Sequence, residues 1–193
     1  MQRVNLSCEP PALTLTCYAD AAILSFSDLL APAKDTRSTW ANVFRKNFNS
    51  KTKYMLQLSR FSGVSLDSNS VVPPLAPWDH FRPGSFLLTV KGAPEILLNH
   101  CSHVLDPLGG SPITLGAREL QRIIQVQEQW SSQGQRVILL ARRIVNDEYL
   151  EQFADRQSED FGDIVDKYLR DLTIVGLVGL IDPLKSDVKH TVR

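Results

Sequence analysis

The stretch LLTVKGAPEILLNH, Leu87–His100, decides how the rest of the chain is read. Its opening Leu-Leu-Thr-Val has strand character, and SFLLTVKGA (85–93) reads as a strand. Pro94 suits the first helical position, where a missing N–H costs nothing, and Glu95 suits the positive end of a helix dipole. PEILLNHCSHVL (94–105) therefore reads as a helix. Between the two stand Lys91 and Gly92. A lysine at a strand end can aim its ammonium into a pocket, and an adjacent glycine lets a flat ligand approach the backbone. Alone, such a lysine is more commonly just solvated, so the flanking segments carry the decision.

Upstream, TKYMLQLSRF (52–61) alternates, with Tyr54, Leu56 and Leu58 on one face and Lys53, Met55 and Gln57 on the other. That is a strand. The Ser- and Pro-rich stretch 62–84 has no period and reads as a surface loop or a long hairpin connection. Two strands joined this way argue for antiparallel pairing rather than a simple βαβ series. Downstream, residues 117–134 read as a helix with Leu120, Ile123, Ile124 and Trp130 on one face, ended by Gly134. QRVILLARRIV (135–145) is a strand by its β-branched content, 148–156 and 163–172 read as short helices, and LTIVGLVGLID (172–182) as a last buried strand. Near the start, Ala22, Ile23, Phe26, Leu29 and Leu30 fall near helical spacing, and Pro32 closes that helix. The expected fold is α+β, a mainly antiparallel sheet flanked by helices. Residues 1–18 form a lead-in with Pro10-Pro11, 19–181 the domain, and 182–193 a connection beyond it.

Composition narrows the function classes. Of 193 residues, 43% are hydrophobic and 22% charged, which is ordinary for a globular domain. Basic and acidic residues balance at 21 each, so no basic excess points to nucleic acid. Cys8, Cys17 and Cys101 are three cysteines without paired spacing, which reads as reduced thiols rather than a disulfide framework. The start lacks the apolar core of a secretory signal. The apolar run TIVGLVGLI (173–181) falls far short of the ~20 residues that a spanning helix needs, so the chain is expected to be soluble.

The familiar phosphate loops, G-x-x-x-x-G-K-[ST] and G-x-G-x-x-G, do not occur, nor do G-x-S-x-G or H-E-x-x-H. This argues against a free-standing ATPase or kinase. His100-Cys-Ser-His103 could be a metal cluster, but histidines at a helix end are explained by the dipole.

Lys91-Gly-Ala-Pro-Glu95 resembles the KGAPE segment in the nucleotide-binding (N) domain of P-type cation-transporting ATPases. Three further stretches resemble the same family in the same order. They are FNSKTKYMLQL (48–58), GQRVILLARRIV (134–145) and VGLVGLIDPLKSDV (175–188). The closest branch is that of the sodium/potassium and calcium pumps. The resemblance implies an ATP-binding domain that presents ATP, as Mg-ATP in the whole pump, to an aspartate in a neighbouring domain. It implies that Phe48 stacks on adenine at a rim polarised by Asn49 and Ser50. Lys53 and Lys91 would line the same cavity with Gly92, and Arg136 would reach ribose and phosphates through its planar guanidinium. Glu95 would be structural.

Asp182-Pro183-Leu184-Lys185 stands in the place of the family's Asp-Pro-Pro-Arg hinge, with Leu184 and Lys185 as departures. Lys185 keeps the charge and loses the fork geometry. The adenine-contacting glutamate has no counterpart, and Asp20 is the one acidic candidate near its place. Asp-Lys-Thr-Gly-Thr, Thr-Gly-Asp-Gly-x-Asn-Asp and the membrane helices are absent from this sequence. The chain is therefore expected to bind ATP without turning it over. It would work with the phosphorylation and actuator domains of its parent on the cytosolic face of a membrane, without entering the membrane and without a nucleic-acid partner. The alternative is a degenerate N-domain-like module for regulation or docking that has lost nucleotide binding.

Overall fold

The computed structural model describes residues 18–30, 40–61, 84–106, 108, 110–156 and 158–181. The expected hinge residues Asp182, Pro183 and Lys185, the lead-in before Tyr18 and most of the 62–84 connection lie outside the described residues.

Seven strands form one sheet: β1 (Trp40–Lys46), β2 (Tyr54–Phe61), β3 (Phe86–Gly92), β4 (Cys101–Val104), β5 (Ile113–Thr114), β6 (Arg136–Val145) and β7 (Leu172–Leu180). Their spatial order is β1-β2-β3-β6-β7-β4-β5. Pairing is antiparallel except for β4 with β7, which run parallel. The helices are α1 (Tyr18–Leu30), α2 (Pro94–Leu97, continued by a 3-10 turn over Leu98–His100), α3 (Ala117–Ser132), α4 (Glu148–Gln152) and α5 (Glu159–Asp166). The expected α+β architecture with a mainly antiparallel sheet is the one observed.

Register sorts the side chains into two faces, because directly opposed residues in a ladder share a face and successive ones alternate. Tyr54, Gly92 and Leu139 are aligned, as are Leu56, Val90 and Ala141. These belong to the core face, where Leu56, Leu58, Phe86, Leu88 and Leu139 are fully buried. Leu150 of α4 and Phe161 and Val165 of α5 close that core. Phe161 meets Phe44 edge-on at 5.6 Å, an arrangement that suits the ring quadrupoles. Ser158 caps α5 by accepting from the Phe161 N–H, and Asp147 caps α4 by accepting from the Tyr149 N–H. The other face carries Met55, Gln57, Thr89, Lys91, Leu140 and Arg136, and α1 lies on this side.

Three expectations are corrected. The helix from Pro94 ends at His100, and Cys101–Val104 is a strand. Its pairing with β7, far along the chain, outweighs local helix propensity. On α3, Ile123 packs against the core while Ile124 is exposed, so the inward stripe runs Ile123, Val126 and Trp130. On α1, Leu29 projects outward at 71% exposure.

Candidate functional site

The β1–β2 hairpin loop carries Phe48, Ser50 and Lys53. Asn49 organises it: its carbonyl accepts from the Lys53 N–H at 2.6 Å, and its side-chain oxygen accepts from the Lys51 N–H at 2.8 Å. This Asx-type turn closes the loop locally. The Phe48 ring is left 62% exposed, and Ser50 is exposed beside it. An aromatic ring with that much surface in water is not a core residue.

Lys53 ends the loop with φ of 58°, a left-handed conformation that costs a non-glycine residue roughly 1 kcal/mol or more. That geometry turns its carbonyl toward β3, where it accepts from the Ala93 N–H at 3.0 Å. Gly92 is what permits this approach. A Cβ on it would meet the Lys53 carbonyl oxygen at 2.5 Å and the Tyr54 Cβ at 2.7 Å. The direction a side chain would take at Gly92 is thus filled by the chain's own hairpin loop, on the core face and away from Lys91. The glycine is required by strand packing, and an approaching flat ligand is not needed to explain it.

Lys91 sits opposite Met55 and Leu140 on the other face. Its ammonium donates to Asp20 in the first turn of α1, and the two side chains are only 27% and 22% exposed. Lys53 faces Glu95 at 3.6 Å, with both side chains about half exposed. Arg136 opens β6, is exposed, and pairs through its backbone with Leu180 at the end of β7. It lies four residues from Leu140, so it shares a face with Lys91, roughly 13 Å along the sheet at ~3.3 Å per residue. Among the described residues no ion pair involves Arg136.

The hairpin loop, the end of β3 and the start of β6 all lie at one end of the sheet. Phe48, Ser50, Lys53, Lys91 and Arg136 are therefore gathered along one rim. Lys91 and Arg136 share a face, whereas Gly92 belongs to the opposite one. Sequence reasoning missed the Asp20–Lys91 pair. Asp20 stood out only as a displaced acid, and nothing local to either residue shows that α1 crosses β3.

Other features lie elsewhere. His100 Nδ1 lies 2.8 Å from the Leu169 carbonyl oxygen, and His103 Nδ1 lies 2.8 Å from the Ser102 hydroxyl. Both histidines thus have local partners. Among the described residues no cluster of three or more His, Cys, Asp or Glu side chains could hold a metal. Burial pushes the Cys101 thiol up to about 12, which disfavours the thiolate. A shallow groove of about 300 Å³ lies on the core side, where Ile123, Val126 and Trp130 of α3 face Val104, Ile174 and Leu177. Its lining is apolar apart from Arg122, and it is on the opposite side of the sheet from Lys91. Among the described residues no helix is long and apolar enough to cross a membrane.

A family model described as "P-type ATPase, cytoplasmic domain N" matches residues 17–187. Over 125 residues the chain is 28% identical to plasma membrane calcium-transporting ATPase 2 of Oreochromis mossambicus, covering 65% of this chain and 10% of that protein. Over 109 residues it is 30% identical to the endoplasmic reticulum calcium ATPase srcA of Aspergillus fumigatus, covering 55% of this chain and 10% of that protein. The chain spans about a tenth of the length of these curated relatives. With the family model matched over 17–187 on a seven-stranded, mostly antiparallel sheet, the chain belongs to the cytoplasmic N-domain family of P-type ATPases.

Proposed function

We propose that this chain is the ATP-binding part of a larger cation-transporting pump, holding ATP for transfer to an aspartate of a neighbouring phosphorylation domain. The observation that carries the reading is the Phe48 ring, 62% exposed at the sheet end that also holds Lys91 and Arg136. A ring with a free face suits a purine, since base–aromatic stacking contributes ~1–3 kcal/mol per base. Arg136 suits phosphate through its fork of N–H donors, and Lys91 supplies a second cation on the same face. Ser50 and Lys53 would add polar contacts at the loop, and Gly92 acts by fixing that loop. ATP supplies the γ-phosphoryl group, and in the whole pump Mg²⁺ would accompany its phosphates. The residues of this chain position the nucleotide, which for phosphoryl transfer is much of catalysis.

The chain continues from β7 toward Asp182-Pro183-Leu184-Lys185, the proposed hinge to the phosphorylation domain. β7 ends at Leu180 beside Arg136, so the proposed phosphate end of the rim lies next to the last residues of the described sheet. The actuator domain of the same parent would complete the cycle. On this reading 19–181 is the binding domain, 1–18 a lead-in, and the isolated chain does not hydrolyse ATP.

A second reading has its own support. Lys53 and Lys91 both already face carboxylates, as expected of a regulatory or docking module that has given up nucleotide. Titration separates the two. ATP, ADP and GTP added to the chain, followed by amide shifts, should reveal weak, adenine-selective binding that is largely insensitive to Mg²⁺. Phe48→Ala and Lys91→Ala should each abolish it. No response at millimolar ATP would overturn the first reading and favour the second.

A further inference from the structure

We infer that Asp166, the last residue of α5, is a positioning residue for the Phe48 ring, acting through Lys46 at the root of the β1–β2 loop; this rests on the ATP-binding reading. The loop spans 47–53 between the two strands. Its Lys53 end is fastened to β3 by the Ala93 N–H and by the fit of Gly92. Its other end leaves β1, an edge strand with a neighbour on one side only and an irregularity between Asn42 and Phe44. The ladder of β1 with β2 ends at Lys46 and Leu56, two residues before Phe48. A second hold on that strand must come from outside the sheet.

Helix α5 supplies it. Phe44 and Lys46 oppose Leu58 and Leu56, so both belong to the core face, where α5 packs. Phe44 meets Phe161 edge-on and closes over Gly162, where a Cβ would meet its ring at 3.2 Å. Lys46 donates to Asp166 Oδ2 at 2.5 Å. Gly162 and Asp166 stand ~6 Å apart along the helix, and Phe44 and Lys46 ~6.6 Å apart along the strand, so the two contacts match in spacing. Burial and then the Asp166 charge raise the Tyr54 hydroxyl at the other root of the loop, so Asp166 faces both roots.

Stability alone is a poor reason for this carboxylate. Its Oδ1 is buried and accepts no hydrogen bond among the described residues, and a buried acceptor without a donor costs free energy. Both partners of the pair are about one-third exposed, which keeps its own stabilising contribution small. What the pair supplies is a fixed direction where the chain leaves β1. A purine then meets a ring already in place, instead of having to order it on binding.

The test is a calorimetric or amide-shift titration of the intact chain and its Asp166→Asn variant with ATP, adenosine and inorganic tripolyphosphate, together with amide relaxation of the free proteins. Asp166→Asn should weaken ATP and adenosine alike by about threefold to tenfold, the range expected when binding must itself order an aromatic side chain. Tripolyphosphate, which has no base to stack, should bind as it does to wild type, and amide motion should rise over 47–53. A general loss of structure would not split the ligands in this way. Lys46→Met removes the pair from the other side, should act alike, and serves if the Asn form folds poorly. The exchanged pair, Lys46→Asp with Asp166→Lys, should restore adenosine affinity and loop order. Unchanged adenosine affinity in both single variants, or equal weakening of adenosine and tripolyphosphate, with wild type binding normally, would overturn the inference and leave the ATP-binding reading intact. Absence of ATP and adenosine binding in wild type would overturn both.

Discussion

The two faces of the sheet are built from the same strands and solve different problems. On the core face, Leu56, Leu58, Phe86, Leu88 and Leu139 are fully buried, and Phe161 of α5 adds ring contacts with Phe44 and Phe153. On the other, Met55, Gln57, Thr89, Lys91, Leu140 and Arg136 stand in register with one another, and one lysine is matched to a carboxylate from α1. Burial of the first face supplies the stability, since apolar area removed from water is the dominant favourable contribution. The second face is thereby free to keep cations, while the β1–β2 loop at the end of the sheet keeps an exposed aromatic ring. The two-residue period of the strand separates the packed core from the face that carries Lys91 and Arg136.

Aromatic truncation on either side breaks or confirms that separation most directly. Phe86→Ala should cost about 3–5 kcal/mol in urea unfolding, the usual range for a fully buried phenylalanine. Phe48→Ala should stay within about 0.5 kcal/mol of wild type, as exposed positions do, while losing nucleotide affinity. Comparable destabilisation by the two would mean that the ring at 48 is structural. Next in size is Gly92→Val, because the added carbon meets the Lys53 carbonyl at 2.5 Å. A loss of about 1–3 kcal/mol is expected, with amide shifts concentrated over 49–55.

The smallest effect is a pH dependence at the edge strand. Lys46 donates to Asp166 at 2.5 Å, and this hydrogen bond holds its ammonium above the usual 10.5, outweighing the opposing effect of burial. A raised value in the folded state means that the pair's stabilisation is complete below 10.5 and is lost as pH rises through the raised value. Lys46→Met should therefore flatten the decline in thermal midpoint above that pH, by an amount worth less than about 1 kcal/mol. An unaltered alkaline profile would show that the pair contributes nothing to folding.

The strands β2, β3, β6 and β7 and the helix α3 were legible because each repeats a local signal: alternation, β-branched runs, or a terminal glycine. β1 was not. Its Trp-Ala-Asn-Val-Phe-Arg-Lys carries an irregularity between Asn42 and Phe44 that breaks the alternation, although Phe44 is a core ring. β4 was hidden for another reason, because Cys101–Val104 becomes a strand only through pairing with β7. At the candidate site, residues 48, 91 and 136 were singled out by the resemblance of their three segments to the family. That Lys91 and Arg136 share a face while Gly92 turns away follows from register, which needs the paired strands. The Asp20 contact depends on where α1 is laid down and has no signature in either segment.

The fit of Gly92 against Lys53 and Tyr54, fastened by the Ala93 N–H on the Lys53 carbonyl, has a mechanical meaning. It welds the aromatic loop to the strand that carries Lys91, so ring and ammonium ride on one lip. A force felt at Phe48 would reach the first turn of α2 without passing through the hydrophobic interior.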